Sequence, residues 1–309
     1  MPDPYLLAVA ALVAAALAAV ASWSLGPSRI PGGAAGVGLA VLAGAWILRL
    51  GPRIPPLEAL DRLLIVLIPA AVASEAAVRK WPAAGWVPRL AASAMAAPVL
   101  VHGSSYVADL SGPGSREWGL GHTSAIYAGL AGILFLALEA SGRLSARAPR
   151  TMAAALAVSA AGAGLTLMLS GYATGGQLGV PLAAAAAVFA VRGDERDCAA
   201  VRVAVIVLFS LLVIGGLFAG LSAANAALLL AAPLLCWAGE LPRFRGLGPG
   251  AKSAVRLAPA SLAVTLAVLL ALRKFEADSS RGSDRSWEAD AGISLHLGVG
   301  RGVNPRRRG

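Results

Sequence analysis

Between Tyr5 and Leu25 the chain runs twenty-one residues without a charged side chain, and apolar stretches of similar length recur almost to its end. These blocks of Ala, Leu, Val and Gly are apolar on every side, without the one-sided i, i+3, i+4 spacing of a helix on a water-facing domain. A bilayer core about 30 Å thick takes roughly 17–25 mainly apolar residues per helix, and a segment inside it must be helical because hydrocarbon offers the backbone no hydrogen-bond partner. Ten stretches meet that description. They run approximately from Tyr5 to Leu25, Gly33 to Leu50, Leu60 to Val78, Trp86 to Tyr106, His122 to Ser141, Met152 to Tyr172, Gly176 to Val191, Val201 to Leu221, Ala224 to Gly239 and Ala254 to Leu272. Arg89 and Ser93 dilute the fourth, and the seventh is short with Pro181 near its start, so nine is the alternative count. The expected fold class is all-α: a polytopic integral membrane helix bundle of about 10 transmembrane helices, with 9 possible.

The overall balance agrees. Of 309 residues, 58% are hydrophobic and 14% charged, with mean hydropathy +0.73, whereas a soluble domain carries about a quarter charged residues. The net charge of +10 does not point to nucleic acid, because the basic residues stand singly or in twos and threes between apolar blocks, apart from Arg306, Arg307 and Arg308. Their placement fits topological anchoring. The expected partner is the lipid bilayer, with no nucleic acid, and protein partners are not legible. The expected location is multi-pass in a membrane, the bacterial cytoplasmic (inner) membrane. Cys198 and Cys236 form neither a disulfide framework nor a Cys-x-x-Cys pair. Ala19-Val20-Ala21 resembles a signal-cleavage site, but Asp3 is the only charged residue before the apolar run, so the first helix is expected to be retained.

Two regions are expected: a multi-span transmembrane domain over residues 1–272 and a polar, disordered C-terminal tail over 273–309. The tail is rich in Ser, Gly, Asp and Arg and has too little apolar surface to fold alone. Its Ile293 to Leu297 stretch alternates like a strand, but one strand is no domain. Orientation follows from the basic loops, because cytoplasmic loops are enriched in Arg and Lys. The loops after spans five, seven and nine hold Arg143, Arg147 and Arg150; Arg192, Arg196 and Arg202; and Arg243, Arg245, Lys252 and Arg256, while those after spans six and eight hold none. Counting back places the N-terminus outside. Arg49, Arg53 and Arg62, and then Arg273 and Lys274, stand against this assignment.

Two groups of residues are candidates for chemistry. Glu75 and Arg89 lie deepest in consecutive antiparallel spans, near the same end, and could pair; they are the substrate or relay candidates, since an intramembrane ionisable residue is a functional hypothesis by default, with snorkelling to the headgroups as the plain alternative. The loop from His102 to His122 joins spans four and five and carries Asp109 and Glu117 between its two histidines. It could form a metal, relay or substrate site, but the spacing matches no established ligand motif and a polar hairpin with interfacial anchors is favoured. Glu139 precedes Arg143 by four residues, the helical order for a local ion pair. The run from Gly171 to Gln177 reads as a flexible turn, not a phosphate cradle. No nucleotide, zinc-protease or serine-hydrolase motif occurs, and no cofactor is predicted.

In size and span count the chain is similar to the ten-helix drug and metabolite transporters, though none of its residue motifs matches theirs. A transporter-like permease is the first functional expectation. A membrane scaffold or assembly factor is the alternative, and a membrane enzyme or metal-binding protein using the His102 to His122 hairpin is the third; the balance leans away from an enzyme.

Overall fold

A computed structural model describes residues 3–24, 31–107, 118–193, 198–244 and 246–297, with the backbone alone for 249 and 281–297. It is all-helical, without a strand among the described residues. Among the described residues seven helices are long and apolar enough to cross a membrane: Pro4–Ser24, Leu120–Arg147, Pro149–Leu169, Ala173–Arg192, Cys198–Phe218, Ala223–Glu240 and Gly250–Ser280. Two more apolar helices, Gly32–Ile47 and Trp86–Val101, are shorter.

In chain order the elements are α1 (Pro4–Ser24), α2 (Gly32–Ile47), α3 (Ala59–Arg62), α4 (Ile68–Lys80), α5 (Trp86–Val101), α6 (Leu120–Arg147), α7 (Pro149–Leu169), α8 (Ala173–Gln177), α9 (Gly179–Arg192), α10 (Cys198–Phe218), α11 (Ala223–Ala231) and α12 (Pro249–Leu297). The third apolar stretch is not one α-helix. A π-helical turn, Leu63–Leu67, separates α3 from α4, and Ile68 donates its N–H to Leu63. Pro69 follows directly and has no N–H to give to an α-helical ladder, which is where a helix loosens into a wider turn. The ninth stretch likewise continues beyond α11 as 3₁₀ helix over Ala232–Glu240, with Pro233 at its start. α12 continues past its apolar stretch through Ile293 to Leu297, so that stretch of the tail is helical and not a strand.

α10 is the axis of the bundle. Every residue from Val203 to Gly215 is buried, and α2, α4, α5, α6, α7, α9 and α11 all pack against it. α1 is peripheral: Ala10, Ala14 and Ala18, spaced by four, form its buried stripe against α2, while Leu12, Val20 and Trp23 face outward. Large apolar side chains such as Ile133, Leu136, Leu165, Leu262 and Leu266 are exposed on the outside of the bundle, a surface suited to lipid and not to water.

Close helix approach comes from small residues. A Cβ on Gly164 would stand 2.7 Å from the Gly176 carbonyl oxygen, and one on Gly176 would stand 2.6 Å from that of Gly164. The Gly171 to Gln177 run is therefore not a free turn: it folds into α8, which rests on α7 with Gly175 and Gly176 buried.

Contacts between helix termini define two ends. At one end Arg192, closing α9, donates to Ser22, near the close of α1; Arg147, closing α6, lies 5.2 Å over the Trp237 ring; and Arg256, early in α12, pairs with Glu240. At the other end Tyr106 Oη donates to the Leu217 carbonyl at 2.7 Å, and Lys274 Nζ donates to the Gly220 carbonyl at 2.6 Å.

Candidate functional site

Four charged side chains from four helices meet at the Arg192 end of the bundle. Glu75 of α4 is the centre, with only 4% of its surface exposed. Its Oε1 lies 3.4 Å from Arg89 Nε of α5, and its Oε2 lies 3.2 Å from Arg202 Nη1 of α10. Arg89 Nη1 reaches on to Glu139 Oε1 of α6 at 2.9 Å. The order along the chain of contacts is Glu139, Arg89, Glu75, Arg202, so each charge lies beside opposite charge and the group is neutral as a whole. A single buried charge would be expensive, whereas alternation with hydrogen bonds offsets the desolvation of each member.

Local sequence explains the placement. Glu75 lies five residues before the end of α4, Arg89 three residues into α5, and Arg202 four residues into α10, roughly 5–8 Å inside each terminus at 1.5 Å per residue. Ser93, fully buried one turn from Arg89, donates its hydroxyl to the Arg89 carbonyl at 2.9 Å. Gly142 leaves the space beside α6 in which the Arg202 guanidinium lies, since a Cβ there would collide with it. Arg202 Nε is buried without a hydrogen-bond partner.

Glu75 and Arg89, which their positions allow to pair, are in contact. The local pair expected for Glu139 with Arg143 is not, because α6 turns the Glu139 carboxylate toward α5, where Arg89 is available. Arg202 stands in sequence among several loop arginines, yet it belongs to α10 and joins the charged group around Glu75. Its signal was its position, with Ala199, Ala200 and Val201 before it and an unbroken apolar run after it. The Glu240 and Arg256 pair was likewise hidden among basic loop residues.

The two histidines of the His102 to His122 hairpin stand at exposed helix ends. His102 caps α5 and is exposed, and its backbone carbonyl accepts from Arg62, which also donates to Leu57 O at 2.7 Å. His122 is exposed and stacks on Trp118, with ring centroids 5.8 Å apart; Trp118 in turn stacks on Tyr106 at 4.8 Å. Asp109 and Glu117 lie outside the described residues. Among the described residues no three His, Cys, Asp or Glu side chains converge as a metal site.

Comparison with protein families, with curated proteins and with solved structures finds no match to this chain.

Proposed function

We propose that the chain is a permease-type membrane protein that crosses a bacterial cytoplasmic membrane ten times, with the Arg192 end facing the cytoplasm. In this reading the Glu139–Arg89–Glu75–Arg202 group is an ion-pair latch that holds the cytoplasmic end closed. The observation that carries it is the alternating charge chain itself, with Glu75 buried and its three partners half-buried, shared by α4, α5, α6 and α10. A buried ion-pair group is weak evidence for stability, because well-packed apolar residues of similar volume often serve as well or better. A contact that must open and close gives a reason for keeping it, and intramembrane charges facing a bundle interior are typical of pathways and relays.

Two further features support the reading. α4 follows a π turn, which interrupts the third apolar segment as the moving helices of transporters are interrupted, and α5, continuous from Trp86 to Val101, carries Pro98 in its last turn. Arg79, Lys80, Arg143, Arg147, Arg150, Arg192 and Arg243 cluster at the latch end, the bias expected of a cytoplasmic face. Three of the five opposing basic residues have local duties: Arg62 and Lys274 are tied to backbone carbonyls, and Arg53 lies 3.6 Å from Glu58.

The test uses a variant with Cys198 and Cys236 replaced by Ala and Ser93 replaced by Cys. In vesicles exposing the cytoplasmic face, an impermeant maleimide is expected to label this buried position slowly, and Glu75→Gln is expected to raise the rate at least severalfold with the helical content unchanged. Equal rates with and without Glu75→Gln in a folded protein would sink the latch.

A further inference from the structure

A groove of about 390 Å³ opens sideways between α4 and α5, against Ile206 of α10. It exists because the facing positions are too small to fill it: Ala70 and Ala73 on one side and Ala91 and Ala92 on the other, with Met95 and Val99 toward the opposite end. The π turn at Leu63–Leu67 adds Val66 and Leu67 to its wall. The lining is almost wholly apolar, and its one hydroxyl, on Ser74, is already donated to the Ala71 carbonyl. From Pro88 to Val99 the groove follows α5 for about 16 Å at 1.5 Å per residue, the reach of a lipid tail through one leaflet.

What lies beyond the latch end of this groove is basic and aromatic. Ala70, Ala73, Ala77 and Lys80 fall on one face of α4 by their spacing of three and four, so Lys80 lies beyond the groove's end on the helix face that lines it. Arg79 and Lys80 are exposed, the Lys80 ammonium lies 5.0 Å over the Trp81 ring, and Trp81 and Trp86 are more than half exposed. Trp at headgroup depth with Lys and Arg beside it is the composition that meets an anionic lipid surface.

We infer that this groove seats one acyl chain of an anionic phospholipid, with its phosphate held by Lys80 and Arg79. The inference rests on the reading that these helices span a bilayer. It adds a site separate from the latch: the phosphate is recognised by charge, the tail by a slot that larger side chains would close. Because Ser74 lines the groove and Glu75 follows it in α4, a seated lipid would bear on the helix that carries the centre of the latch.

The full chain is reconstituted in vesicles of equimolar phosphatidylglycerol and phosphatidylcholine, and the lipids that remain bound on gentle extraction are counted by native mass spectrometry. One retained phosphatidylglycerol per chain is expected, at about thirtyfold preference, the equivalent of the ~1 kcal/mol that each of the two basic side chains contributes near an anionic surface. Arg79→Gln with Lys80→Gln is expected to abolish the preference, and Ala92→Phe to abolish retention of either lipid. Retention in the bulk ratio, or a preference that survives both variants, would overturn the site. A chain that alkaline carbonate strips from the vesicles would instead overturn the spanning reading beneath it.

Discussion

Arg89 is the one member of the charged group that faces two carboxylates, Glu75 at 3.4 Å and Glu139 at 2.9 Å, through different nitrogens of the same guanidinium. A planar fork can serve two acceptors at once; an ammonium at the end of a flexible stem is a single point charge. Arg89→Lys is therefore expected to keep one contact and lose the other. With side chains only 12–24% exposed at this contact, leaving a carboxylate without its partner is expected to lower stability by about 2–3 kcal/mol, below the 3–5 kcal/mol of a fully buried broken pair. Thermal unfolding in detergent checks this, and a variant as stable as the parent would show that the Glu139 contact contributes nothing. Glu75 and Arg89 could be singled out from sequence because charge within an apolar stretch is conspicuous. Glu139 was assigned to the nearer Arg143 because a linear sequence displays neighbours four residues away and conceals those on the next helix.

At the level of elements, small residues decide which helices touch. The crossing of α7 with α8 and α9 is so close that Gly164 and Gly176 each lie where the other's Cβ would need to be, and a Cβ on Gly179 would stand 2.6 Å from the Gly164 Cα. The neighbour in each case is backbone, which does not turn aside. Gly176→Ala is expected to destabilise the bundle by about 1–3 kcal/mol through overpacking, measured as a lower unfolding temperature, while Gly129→Ala, where a Cβ meets nothing within 4 Å, serves as the neutral control. Equal effects of the two would refute close packing at this crossing. The same local logic explains the third apolar stretch: its hydrophobicity is continuous, but Pro69 removes a backbone donor and the segment divides into α3, a π turn and α4.

For the molecule as a whole, the contacts between termini require neighbouring helices to run in alternating directions, with Ser22, Arg89, Arg147, Arg192, Arg202, Glu240 and Arg256 at one end and Arg62, Tyr106, Leu217 and Lys274 at the other. On the proposed orientation, a reporter active only outside the cytoplasm is expected to be active when inserted at Gly220 and inactive at Gly246. The reverse pattern would invert the bundle, and activity at both would contradict the alternation.

The sequence by itself determined that this is a chain of apolar helices, because hydrophobicity and the need for internal backbone hydrogen bonding are properties of each segment alone. It also marked the polar interruptions at Glu75, Arg89 and the His102 to His122 loop. Only the tertiary structure decided that α10 is the enclosed axis, that Arg202 and Glu139 complete the charged group at Glu75, and that Trp118 stacks on His122. Those outcomes depend on which helix faces which. Where nearly every helix is apolar on all sides, the choice is made by the close fit of small residues and by the meeting of a few charges far apart in the chain, neither of which a periodic pattern encodes.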